Sequence, residues 1–112
     1  MNTRRFAVKS LAFLALLAAF PLSQSFAAEE KPQVGLVMKS LANEFFKVMT
    51  EGAIAYEKKR GDFVLAAVGM KDETDFDAQT MAVESFITQK KDIIVLAPAD
   101  SKAMVAPVLK AV

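Results

Sequence analysis

Three short apolar runs, each followed by a segment with helical periodicity, constrain the fold of this chain more than any other feature. The runs cover residues Val34–Met38, Phe63–Val68 and Ile93–Ala97. Unbroken apolar runs of this length are typical of strands that are covered on both faces. Strands that alternate with helices form parallel sheets with right-handed crossovers. The sequence therefore predicts an α/β fold with a parallel, doubly wound, Rossmann-like sheet.

Capping residues and side-chain spacing mark the predicted helices. We expect Asn43 to cap the first helix and Gly61 to end it. The positions at helical spacing in the first helix are Phe45, Met49, Gly52, Ala53 and Tyr56. Those in the second helix are Ala78, Met81, Ala82, Ser85, Phe86 and Gln89. They follow a polar, acidic loop over Gly69–Asp77, which we expect to end in a cap. The third helix is predicted after a cap at Asp100 or Ser101, with a kink or a late start at Pro107.

The first 27 residues have the layout of a secretory signal peptide. Basic residues at positions 4, 5 and 9 precede an apolar run over residues 10–20, which Pro21 breaks. Small residues in Ser25–Ala27 then predict cleavage after Ala27, with Ala28 as the second choice. The alternative is a membrane anchor, but the apolar run is shorter than the roughly 20 residues that a span needs. We therefore predict export of residues 28–112.

Composition excludes several classes of function. The chain has no histidine and no cysteine, which excludes zinc sites built on those residues and Ser-His-Asp or Cys-His catalysis. Without the three basic residues of the predicted signal, the 14 basic side chains become 11, against 13 acidic ones. A mildly acidic chain is poorly suited to bind nucleic acid, and no glycine-rich phosphate loop follows the first strand. We expect a protein that is not an enzyme and that uses no cofactor or metal.

Polar and aromatic residues follow the first predicted strand. Lys39, Ser40 and Asn43 are predicted in the loop between strand and helix, and Phe45 and Phe46 open the helix. Open α/β sheets bind ligands at the carboxyl ends of their strands, and amide and ammonium groups beside aromatic faces suit a sugar or polyol. In the alternative, the phenylalanines belong to the core and Asn43 is only a cap. The residues leave both roles open for Phe46 and favour ligand contact for Phe45.

The chain resembles a known family in three segments. Residues 34–46, VGLVMKSLANEFF, are similar to the first strand and loop of periplasmic sugar-binding proteins of ABC importers, the ribose- and allose-binding group of the type I fold. Residues 97–112, APADSKAMVAPVLKAV, resemble the family's third strand and the helix start after it. ETDFDAQ, residues 73–79, and Lys39 look nearer to the allose branch, whereas Glu44 stands where the family often has proline.

The resemblance implies a site, a cellular location and partners. Lys39, Asn43, Phe45 and Phe46 would contact a monosaccharide or polyol in the periplasm. The family has two lobes that close on the sugar, and the closed form docks on an inner-membrane permease. We accordingly expect residues 28–112 to be part of the N-terminal lobe of a longer protein, monomeric at full length.

Two other functions remain open at this point. A sugar-responsive transcriptional regulator shares this core, but it would need a DNA-binding segment where this chain has an export signal. A chemotaxis receptor can also recognise closed binding proteins of this family, so a chemoreceptor is a further candidate partner.

Overall fold

Strands and helices alternate along the part of the chain that the structure describes. In the computed structural model, which describes residues 28–112, the elements are β1 (Gln33–Ser40), α1 (Glu44–Arg60), β2 (Val64–Met70), α2 (Phe76–Thr88), β3 (Ile93–Leu96) and α3 (Val105–Ala111). The predicted order of elements is confirmed. The predicted signal peptide and its cleavage site lie outside the described residues.

The three strands form a parallel sheet in the order β2-β1-β3. The chain crosses the sheet in one direction from β1 to β2 and in the opposite direction from β2 to β3. Right-handed crossovers in opposite directions place α1 on one face of the sheet and α2 on the other, and α3 packs against α2. The sheet is therefore doubly wound, as the alternation of strands and helices predicts.

The main hydrophobic cluster lies between the sheet and α2. Val37 on β1 and Met70 on β2 are buried against Val83 and Phe86 of α2. Gly35 allows the helix to approach this closely, because a Cβ atom at that position would lie 2.3 Å from the ring of Phe86. The central strand β1 and α2 thus pack closely at this position.

Two strands run further than their apolar residues predict. Lys39 and Ser40 were expected in a loop but form the end of β1, and Gly69 and Met70 likewise extend β2. Backbone pairing between Ser40 and Met70 holds both extensions, after a shift in register. Strand pairing uses main-chain groups, so a polar side chain does not end it.

The buried faces of α1 and α2 differ from the predicted ones. On α1, Thr50 is buried while Phe45 and Tyr56 are exposed. On α2, Phe86 is buried and Ala78 and Ala82 pack against the core cluster, as predicted. The predicted positions Met81, Ser85 and Gln89 are exposed, whereas Gln79 and Val83 are buried. Thr50 can be buried because its hydroxyl donates to the carbonyl of Phe46 at 2.8 Å and so has a partner without water.

The N-terminal caps of α2 and α3 differ from the predicted ones. Asp75, not Asp77, caps α2 by accepting a hydrogen bond from the N–H of Ala78 at 3.1 Å. Asp100 accepts from the N–H groups of Lys102 and Ala103 and so closes a turn ahead of α3, which starts late, at Val105.

Within residues 28–112, no helix combines the length and apolar content needed to cross a membrane.

Candidate ligand-binding site

The carboxyl ends of the three parallel strands meet at one edge of the sheet, which we call the ligand edge. Three loops define it: residues 41–43 after β1, residues 71–75 after β2 and residues 97–104 after β3. Main-chain bonding ties the first two together, since the N–H of Leu41 donates to the carbonyl of Met70 at 3.2 Å. Crevices beyond the carboxyl ends of strands are the general ligand position in open α/β sheets.

A lysine and two aromatic rings come together at the start of α1. The Nζ atom of Lys39 lies 5.7 Å from the centroid of the Phe46 ring, within range of a cation–π interaction. The rings of Phe45 and Phe46 are 5.2 Å apart and meet edge to face, at 82°. Phe46 is half-buried, while Phe45 is 65% exposed. The structure thus brings three of the predicted site residues together and leaves the Phe45 ring accessible.

Asn43, the fourth predicted site residue, joins two loops as well as capping α1. Its Oδ1 accepts a hydrogen bond from the N–H of Phe45 at 3.0 Å. Its Nδ2 donates to Oε1 of Glu73, in the loop after β2, at 2.8 Å. The predicted cap is confirmed, and the side-chain amide retains one N–H group beyond the bond to Glu73.

Ser40 was predicted among the polar groups of this edge, but its hydroxyl is engaged within the fold. Its Oγ donates to the carbonyl of Lys71 at 3.1 Å and accepts from the N–H of Ala42 at 3.2 Å. The side chain is buried. Ser40 therefore fastens the first loop to the second.

Gln79 was not recognised from the sequence as a residue that forms the site. It stabilises the ligand edge through buried hydrogen bonds. Its fully buried side chain donates to the carbonyls of Met38 (3.2 Å) and Ala97 (2.9 Å) and accepts from the N–H of Ala99 (2.8 Å). One amide thus links β1 to the loop after β3. A signal was available: Gln79 stands four and seven residues before Val83 and Phe86, on the same face of α2.

The acidic loop after β2 is organised by its own side chains. The hydroxyl and the N–H of Thr74 donate to Oδ1 of Asp72, at 2.7 and 2.9 Å. The hydrogen bond from the Thr74 hydroxyl is the main reason why the pKa of Asp72 lies below its ordinary value. In the described range 28–112, no three acidic residues converge as a metal site would require.

The edge offers chemistry suited to recognising hydroxyl groups. It presents ammonium and amide N–H donors, a carboxylate acceptor and an accessible aromatic ring. A sugar hydroxyl both donates and accepts hydrogen bonds, and the C–H face of a sugar ring packs on an aromatic surface. The arrangement can therefore hold one side of a small polyhydroxylated ligand.

Comparisons with known proteins identify the family and several relatives of this chain. A family model described as a periplasmic binding protein domain matches residues 34–112. The chain is 55% identical over 83 residues to the D-ribose/D-allose-binding protein of Pseudomonas aeruginosa, a match that covers 73% of this chain. The chain spans only about a quarter of that relative's length, 26%.

Two solved structures share the fold. An ABC transporter solute-binding protein from Burkholderia multivorans, with an unknown ligand represented as α-D-erythrofuranose, is 58% identical with a TM-score of 0.72. A periplasmic solute-binding protein of an ABC transporter from Actinobacillus succinogenes, with bound D-allose, is 36% identical with a TM-score of 0.67. The matches cover 73% and 72% of this chain, and 29% and 28% of those chains.

Proposed function

Since the chain belongs to the periplasmic binding protein domain family, we propose that it serves as the solute-binding component of an ABC importer. In this proposal it captures a monosaccharide or polyol in the periplasm and delivers it to a membrane permease. The observation that carries the proposal is the grouping of lysine, asparagine and an accessible aromatic pair at the ligand edge. The names of its relatives, which include D-ribose and D-allose as ligands, support the same class of solute.

Each of the four site residues has a proposed role. Phe45 packs on the C–H face of the sugar ring, and Phe46 supports it from the half-buried side. Lys39, held beside the Phe46 ring, donates to ring hydroxyls, and Asn43 donates through the amide N–H that Glu73 leaves available. Because these residues line one side of the ligand only, we propose that residues 28–112 are part of the first lobe of a two-lobe site.

Calorimetric titration tests the proposal in a hybrid protein of the relatives' length. Residues 34–112 replace the equivalent segment of the Pseudomonas aeruginosa relative, to which the chain is 55% identical. D-ribose, D-allose, other pentoses and hexoses, and polyols are titrated in turn. We expect at least one of them to bind. A hybrid that folds but binds no member of the panel would contradict the proposed function.

Export is proposed together with this function. Secretion with cleavage after Ala27 would leave Ala28 as the new N-terminus. N-terminal sequencing of the protein recovered from a periplasmic fraction checks this directly. Recovery of an uncleaved chain in the membrane fraction would favour the anchor instead.

A further inference from the structure

We propose that Glu73 is a positioning residue of the ligand edge, whose carboxylate holds the Asn43 amide in the orientation that the sugar requires. The proposal rests on the proposed function and adds a residue to it. Glu73 lies in the loop after β2, 30 residues along the chain from Asn43. The bond between them is therefore a tertiary contact and not a local turn.

The two bonds of Asn43 define the orientation of its amide. Oδ1 faces the N–H of Phe45 at 3.0 Å, and Nδ2 faces Oε1 of Glu73 at 2.8 Å. The cap fixes the oxygen end of the amide, because an N–H group can donate only to that end, but it leaves the NH₂ end without a partner. The Glu73 carboxylate accepts only from the NH₂ end, so it holds that end in the placement that the cap requires. The pair thus determines where the remaining N–H of Asn43 is presented.

The loop that carries Glu73 is fastened on both sides of that residue. Before it, the Lys71 carbonyl accepts from the buried Ser40 hydroxyl at 3.1 Å. After it, Thr74 donates twice to Asp72, and Asp75 caps α2. Ordering the loop in this way limits the conformational freedom that Glu73 would lose when it binds Asn43.

Glu73 forms no ion pair within residues 28–112, so its structural role there is its bond to Asn43. Only one oxygen of the carboxylate takes part. The pair therefore acts on the ligand through the spare N–H of Asn43, a donor from which the oxygen of a hydroxyl group can accept. The chemical class of ligand implied is a polyol or sugar with a hydroxyl at this position.

A thermodynamic cycle in the hybrid protein tests the proposal, with D-allose and D-ribose as probes. The affinities of Asn43→Ala, Glu73→Ala and the double variant are compared with that of the parent. We expect Glu73→Ala to weaken binding about tenfold, and the double variant to bind no worse than Asn43→Ala, because coupled residues are not additive. Glu73→Gln, whose amide oxygen can also accept from Asn43, should restore affinity to within about threefold of the parent.

Asp77→Asn is the matched control for Glu73→Gln. It removes an exposed carboxylate in the first turn of α2, four residues along the chain from Glu73, and should leave affinity unchanged. Strictly additive losses, or parent affinity in Glu73→Ala, would overturn the proposal while leaving the proposed function intact. A parent hybrid that binds neither these probes nor the wider panel overturns the proposed function and the role of Glu73 with it.

Discussion

At the scale of single residues, the ligand edge contains two kinds of side chain. Some are available to contact a ligand, and the others form their hydrogen bonds within the fold. Phe45 and the spare N–H of Asn43 belong to the first kind, while Ser40 and Gln79 belong to the second. The sequence indicates the first kind well, because adjacent aromatics at a helix start are visible as a motif. It does not show that Ser40 turns inward, since that depends on the position of Lys71, 31 residues away.

The two phenylalanines should respond differently to truncation. Phe45→Ala removes an exposed ring, so we expect about a tenfold loss of sugar affinity in the hybrid protein with little change in stability. Phe46→Ala removes a half-buried ring and should also lower the free energy of unfolding by about 2 kcal/mol. Calorimetry and denaturant melts distinguish these effects. Equal stability losses in both variants would show that Phe45 is a core residue.

Asp72 should titrate below its ordinary range, because Thr74 hydrogen-bonds its charged form. A lowered folded-state pKa stabilises the protein above the unfolded pKa of about 3.9, and this contribution is lost as pH falls through the folded pKa. Carboxyl-carbon NMR titration of the parent and of Thr74→Val checks the cause. We expect the pKa of Asp72 to rise in Thr74→Val, and an unchanged value would contradict it.

At the scale of elements, the order of strands and helices along the chain was predictable, whereas the buried faces of the helices were predictable only in part. Apolar runs define β1, β2 and β3 because strands buried on both faces need them. The inward faces of α1 and α2 include Thr50 and Gln79, whose polar groups find partners inside the fold. The spacing of residues along the helices therefore does not identify these two buried polar positions. The sequence predicted Asp77 as the cap of α2 in place of Asp75, because the two residues are equally good caps by type.

Gln79 should be essential to the joint between α2 and the strand ends. Gln79→Leu leaves two carbonyls and one N–H without their partner in a buried site, so we expect a loss of about 3 kcal/mol in the free energy of unfolding. Gln89→Leu, at an exposed position one residue beyond α2, is the control and should change stability little. Denaturant melts that place both variants near the parent would show that Gln79 is dispensable.

Replacing either of two glycines with alanine should change the stability of the fold, in opposite directions for the two positions. A Cβ atom at Gly35 would lie 2.3 Å from Phe86, whereas one at Gly52 would meet nothing within 4 Å. Gly35→Ala should therefore destabilise the fold by about 2 kcal/mol through overpacking. Gly52→Ala, in the exposed interior of α1, should stabilise it by about 0.5–1 kcal/mol. Melting curves of the two variants check both signs, and a stabilised Gly35→Ala would contradict the close approach of α2.

At the scale of the whole molecule, the ligand edge is open to solvent over residues 28–112. Phe45 is 65% exposed, and the four proposed contact residues all come from β1 and the start of α1. Tight sugar sites usually enclose most of the ligand surface. The chain alone should therefore bind D-allose or D-ribose at least about a hundredfold more weakly than the hybrid protein. Calorimetry on both proteins side by side measures the difference, and equal affinities would show that enclosure is unnecessary.

The bonds of Gln79 have a consequence for how the proposed receptor could change its specificity. All three of its partners are main-chain groups, of Met38, Ala97 and Ala99. Replacing a side chain at position 39, 43, 45 or 46 leaves those groups in place. Lys39 and Phe45 take no part in the bonds of Gln79, so evolution or an engineer building a sugar biosensor can vary those two side chains without disturbing the joint that Gln79 forms.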